Sequence, residues 1–286
     1  MRHPEILARF DAHAVSWWEL NGQQCCWLET QVDEAALLRC LTQTLTDWSA
    51  WQASANQTLE AEAQADETDE ADEAEESNEG VLLSPSFYLN DQKATLRLDW
   101  WYETLKPDRK IKEKSAWKMY AGQQTAEKIS RDMTDAAAKL LQPNTVSTVA
   151  ALLKLSAGMT GRFGFDPRSS RNALDMGFSA NDLNLPIATY PFAEMLAGIG
   201  AHYFFAHRTR LGGGITSARG WVTDDAFQYA LWQMPLPIAL ARLAATGTAV
   251  QRDRLVLLEA GRARRDKYAN FKMAQTAAWS DEHTTQ

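Results

Sequence analysis

Residues 60–79 read EAEAQADETDEADEAEESNE, with eleven Asp or Glu, no Lys or Arg, and Thr68 as the only β-branched or aromatic residue. A stretch of this kind cannot bury enough apolar surface to offset the entropy of ordering its backbone. It therefore constrains the chain more than any other feature, because the fold must be built from what comes before and after it. The sequence divides into an N-terminal hairpin–helix part over 1–52, an acidic disordered insert over 53–80, and a main α+β domain over 81–286. The run also controls the charge. The formal net charge is −8, but removing those eleven from the 37 acidic residues leaves 26 against 29 Lys and Arg, a net of +3. The remainder is mildly basic, which is compatible with a polyanionic partner.

The segments around the insert show mixed periodicity. AVSWWEL and QQCCWLET flank Asn21-Gly22, a hairpin signal. DEAALLRCLTQTLTDW predicts a helix with Asp33 as N-cap and Leu37, Leu38, Leu41 and Leu45 on one stripe. After the insert, ATLRLDWWYET alternates like a strand and LKPDRKIKEK reads as a basic loop. SAWKMYAGQQTAEKISRDMTDAAAKLL predicts one long helix stopped by Pro143, and a second helix is expected from about Val146 to Leu155. GRFGFDPRSSRNALDMGFSANDL, from Gly161 to Leu183, has neither period and reads as an irregular connection. YPFAEMLAGIGAHYFFA is an apolar helix with Pro191 in its first turn. AFQYALWQM reads as a strand, PLPIALARLAATG as a short helix, and DRLVLLEAGRARRDKYANF as a last strand running into a basic segment. The expected class is α+β, an antiparallel sheet with helices packed on one side.

Enzyme signatures are sparse. Gly212–Gly214 is followed by no GK[ST], and neither GxSxG nor HExxH occurs. Cys25, Cys26 and Cys40 form no CxxC and the five His are scattered, so neither a disulfide framework nor a metal site is expected, and no cofactor. Asp166, Asp175 and Asp182 offer an alternative, a metal-dependent nuclease using the carboxylates near Asp166 and Asp175. Turn and cap roles are simpler for them, Asp166 standing before Pro167. No apolar run approaches the ~20 residues of a membrane span. The N-terminal stretch lacks the pattern of a signal peptide, so a cytoplasmic protein is expected.

Cations make the stronger constellation. One group holds Lys106, Arg109, Lys110, Lys112 and Lys118; a second holds Arg162, Arg168 and Arg171; Arg208 and Arg210 stand beside the triple glycine; and Arg262, Arg264, Arg265 and Lys267 close the set. Apolar elements separate these groups, so folding can bring them to one face that meets phosphates. Trp117, Tyr120, Phe163, Phe165, Tyr268 and Phe271 lie nearby as candidates for base stacking, or as core. In the 161–183 stretch, Phe163, Phe165 and Phe178 are expected to anchor the segment, leaving Arg162, Arg168 and Arg171 for a ligand.

LRLDWWYE with KMYAGQQTAEKI, then FGFDPRSSRNALDMGFSANDL with YPFAEMLAGIGAHYF, then YALWQMPLPIALARLAATG with DKYANFKMAQTA, resemble the large-subunit-like protein of type I-U (now I-G) CRISPR effector complexes. The matching stretches run in order from about residue 96 to 277; the first 90 residues lie outside them. The resemblance implies a subunit without chemistry of its own in a crRNA-guided surveillance complex (Cascade). Its implied partners are crRNA, target DNA, the other effector subunits and a helicase-nuclease. Contact with the motif flanking the target is implied with them.

Overall fold

The computed structural model describes residues 12–20, 23–30, 32–46, 48–53, 80–89, 92–95, 98, 100, 117–120, 124–141, 146–169, 183, 185–204, 220–223, 225–245, 252–265 and 268–279. Strands β1 (Ala12–Leu20) and β2 (Gln23–Thr30) pair antiparallel, with Leu20 opposite Gln23, so only residues 21 and 22 separate them, as the Asn-Gly signal requires. Helix α1 (Glu34–Thr46) starts at the expected cap: the Ala36 N–H donates to Asp33 Oδ1 at 2.6 Å. Leu45 on its stripe is fully buried, and Leu37, Leu38 and Leu41 pack against the same core.

The helix stops at Thr46, short of the expected Trp48, which instead opens strand β3 (Trp48–Ala53). β3 pairs antiparallel with β4 (Gly80–Leu89), and β4 with β5 (Gln92–Thr95). Neither β3 nor β4 was expected from the sequence. Their register places Ala53 opposite Gly80, so the first and last residues of the 53–80 insert are strand partners on one sheet. The expected disorder of the run itself falls on residues outside the described set.

The long helix expected from Ser115 is shorter. α2 (Ala126–Leu140) begins at Thr125, whose hydroxyl accepts from the Lys128 N–H at 3.1 Å. Upstream, Trp117, Met119 and Tyr120 are buried in non-helical backbone, and the Met119 carbonyl accepts from the Ala269 N–H at 2.7 Å. Aromatic burial and that long-range bond outweigh helix propensity there. The second expected helix reduces to one turn, α3 (Val149–Leu152), capped by Thr148. Strand β6 (Ala157–Met159) pairs with β7 (Ile187–Thr189) across the irregular connection. Helix α4 (Pro191–Phe204) follows with Pro191 in its first turn, as expected.

A further sheet has the order β11-β10-β9-β8. It comprises β8 (Trp221–Thr223), β9 (Ala226–Trp232), the eleven-residue β10 (Leu255–Arg265) and β11 (Tyr268–Phe271), with β12 (Gln275–Thr276) also on β10. The first part of β10 pairs with β9 and its last four residues with β11. Helix α5 (Ile238–Ala245) lies between β9 and β10 in sequence. All pairings among the described residues are antiparallel, and the class is α+β.

One core joins the segments on both sides of the acidic run. Leu45 and Trp48 share it with Leu98, Trp100, Met119, Phe163, Phe192 and Met195. Ile129, Met133 and Ala137, spaced by four on α2, bury fully, and α2 packs on α4. A smaller cluster gathers Trp232, Leu236, Ala244 and Leu255. No helix among the described residues is long and apolar enough to cross a membrane.

Candidate nucleic-acid interface

Trp117 is the structural centre of this region. Its ring meets Phe227 at 4.7 Å between centroids, Trp221 at 5.2 Å, Phe165 at 6.0 Å, Phe271 at 6.1 Å and Phe204 at 6.3 Å, mostly edge to face. These six rings come from five separate parts of the chain, and five of them, all but Phe227, stand near cation-rich segments in the sequence or on the strand ladder. The Lys106–Lys118 segment runs into Trp117. Phe165 stands between Arg162 and Arg168. The segment with Arg208 and Arg210 leaves α4 after Phe204 and returns at Trp221. Phe271 pairs with Arg262, and two residues along the ladder Ala269 pairs with Arg264. Two backbone bonds tie these parts together on β11: Ala269 N–H to Met119 O, and Phe271 N–H to Gly164 O at 2.9 Å.

The irregular turn at 161–169 is held from inside. Gly164 has φ +90°, and a Cβ there would lie 2.9 Å from the Ala269 carbonyl oxygen, so only glycine fits. The turn directs the successive N–H groups of Gly164, Phe165 and Asp166 at one carboxylate. Glu194, in the first turn of α4 and fully buried, accepts from them at 3.0, 3.3 and 2.7 Å. Burial pushes the Glu194 carboxyl up to about 7, against the opposing pull of the Asp166 and Phe165 N–H donors and of Arg162. Sequence reasoning missed Glu194, although a lone carboxylate in the first turn of an apolar helix was a usable signal.

Asp166 takes the turn role expected of it. Its Oδ1 accepts from the Arg168 N–H at 2.9 Å, and both carboxylate oxygens are held by the Arg168 guanidinium. That guanidinium also donates to the Leu153 carbonyl at 3.1 Å and lies over the Tyr190 ring at 3.7 Å. The hydrogen bond to Asp166 raises the Arg168 pKa. Arg168, expected to stand free for a ligand, is thus committed to internal partners. Arg262 is similarly engaged: its side chain is buried over the Trp221 ring at 5.0 Å, with Nε 3.4 Å from Asp225 Oδ1.

The other expected residues are distributed unevenly. Lys118 places its ammonium 5.4 Å from the Tyr120 ring centroid. Arg264 and Arg265 end β10, paired with Ala269 and Tyr268. Arg162 is half-buried, and burial lowers its pKa while Glu194 opposes the shift. Lys106, Arg109, Lys110, Lys112, Arg171, Arg208, Arg210 and Lys267 lie outside the described residues, as do Asp175, Asp182 and Phe178. Trp117, Tyr120, Phe163, Phe165 and Phe271 are core rather than stacking platforms, and Phe163 and Phe165 anchor the turn as expected. Among the described residues no three His, Cys, Asp or Glu side chains gather as a metal cluster.

The chain matches no protein-family model, no curated protein and no solved structure. Among the described residues the arrangement is a buried aromatic cluster whose rings lie near cation-rich segments in the sequence.

Proposed function

We propose that this chain is a non-catalytic nucleic-acid-binding subunit of a type I CRISPR crRNA-guided surveillance complex in the cytoplasm. In this reading it contacts target DNA or crRNA beside the other effector subunits, and contributes to reading the flanking motif and recruiting the helicase-nuclease. The observation that carries the reading is that the rings clustered around Trp117 come from parts of the chain that stand, in sequence, beside four separate cation-rich segments. A phosphate backbone is recognised by such a set of Lys and Arg held at a common base. The resemblance over residues 96–277 supplies the complex and its partners. With the rings packed in the core, binding rests on phosphate contact, and base edges are read by loop side chains.

The test is target-DNA binding by the reconstituted crRNA-containing assembly across a salt series. Affinity is expected to fall steeply with salt. Charge reversal at Lys106, Arg109, Lys110, Lys112, Arg208 and Arg210 is expected to weaken it at least about tenfold and flatten the slope. Salt-independent affinity, or full binding by the reversed protein, overturns the reading.

A further inference from the structure

Arg162 differs from Arg168 and Arg262 of the candidate interface. Arg168 spends its donors on Asp166 and the Leu153 carbonyl, and Arg262 is buried against Asp225 and Trp221. Arg162 makes no hydrogen bond and no ion pair with any described residue. Its one described electrostatic partner is Glu194, whose oxygens are turned to the N–H groups of 164–166. Yet its position is fixed. Phe163 beside it is fully buried, and Gly161 on the other side packs so closely that a Cβ would lie 2.7 Å from Gln124 Oε1. Two residues on, Gly164 is bonded to β11. The side chain remains partly accessible to solvent.

A guanidinium is a planar fork of donors suited to two oxygens of one oxyanion. Withdrawing it partly from water with those donors unused costs free energy, which an anionic ligand restores. A fixed backbone lowers the entropic cost of meeting that ligand. We infer that Arg162 is the anchor of a phosphate subsite, taking two oxygens of a single phosphate group. The source of that group is either a nucleic-acid backbone or free inorganic phosphate. The inference rests on the nucleic-acid reading only for the first source. Arg168 and Arg262 serve the fold, so the three arginines separate in what their loss does.

The full chain, its R162Q and R162K variants, and R168K as a control are compared in two measurements. One is anisotropy of a labelled oligo-dT over a KCl series. The other is the thermal midpoint in phosphate against chloride at matched ionic strength. R162Q is expected to weaken oligo-dT binding about tenfold, to lower the salt slope by about one, and to lose the phosphate-specific rise in midpoint. R162K should keep the slope and lose part of the affinity; R168K should keep both. If R162Q retains its tryptophan fluorescence and binds both probes like the wild type, the subsite is overturned. Should R162Q fail to fold, R162K decides: unchanged affinity for both probes overturns the bidentate contact. A wild type that ignores oligo-dT but loses a phosphate-specific stabilisation on R162Q sinks the nucleic-acid reading and leaves the subsite standing. A wild type that responds to neither probe sinks both.

Discussion

Replacing Glu194 by Gln removes one acceptor from a buried site where three backbone donors converge. The carboxylate takes Gly164 and Phe165 on Oε2 and Asp166 on Oε1. An amide turned to serve the first two presents its own N–H groups to Asp166, and a buried N–H left unmade costs about 1–3 kcal/mol. The expected deficit above neutral pH is therefore about 2 kcal/mol. The pH dependence separates this effect from general damage. Burial lifts the Glu194 carboxyl from 4.5 to about 7, so the folded protein holds this proton more tightly than the unfolded chain. Stability from that shift is complete below about pH 4.5 and is lost as the pH rises through about 7, a change of about 3 kcal/mol at roughly 1.4 kcal/mol per pKa unit. A protonated carboxyl still offers both oxygens to the donors, which an amide does not, so the deficit of the variant grows toward low pH. Urea unfolding followed by tryptophan fluorescence measures it, since Trp48, Trp100, Trp117, Trp221 and Trp232 are buried reporters. A deficit that stays constant from about pH 5 to about pH 8, or a glutamine variant as stable as the wild type throughout, refutes the reasoning.

Arg168→Ala strands Asp166, whose side chain is only 6% exposed, while Arg168 itself is 39% exposed. The about 3–5 kcal/mol cost of a broken buried pair is thereby reduced to about 2 kcal/mol, and Arg168→Lys should recover less than half of it in the same unfolding assay, because an ammonium cannot hold both oxygens and stack on Tyr190. Replacing residues 54–79 by a four-residue turn should leave the β3–β4 sheet intact, because Ala53 and Gly80 are already register partners. Shortening that connection from about 26 residues to about four should add about 1–2 kcal/mol to stability by calorimetry, and loss of the folded state would contradict the register.

Local features of the fold were legible in the sequence. The Asn-Gly hairpin, the Asp33 cap with its leucine stripe, and Pro191 at the start of α4 each rest on a few adjacent residues whose chemistry decides the backbone. The misreadings share the opposite property. Trp117–Tyr120 has acceptable helix propensity, but its conformation is set by Ala269 and by rings more than a hundred positions downstream. β3 and β4 pair across the acidic run, and no local pattern announces a partner at that separation.

The irregular stretch from Gly161 shows why its composition was ambiguous. Aspartate, arginine and glycine in a turn serve a ligand or the turn itself equally well, and sequence alone does not assign them. Here the geometry divides them by the fate of their polar groups. The N–H groups of Gly164, Phe165 and Asp166 are consumed by Glu194, the Asp166 carboxylate by Arg168, and the Arg168 fork by Asp166 and the Leu153 carbonyl. A nuclease built on Asp166 would first have to break that pair, because a carboxylate already holding a guanidinium on both oxygens has little left for a metal ion. What the turn does not consume is the Arg162 fork, and an arginine held in place with no hydrogen bond or ion pair to a described residue is the group of this turn suited to meet something outside the chain.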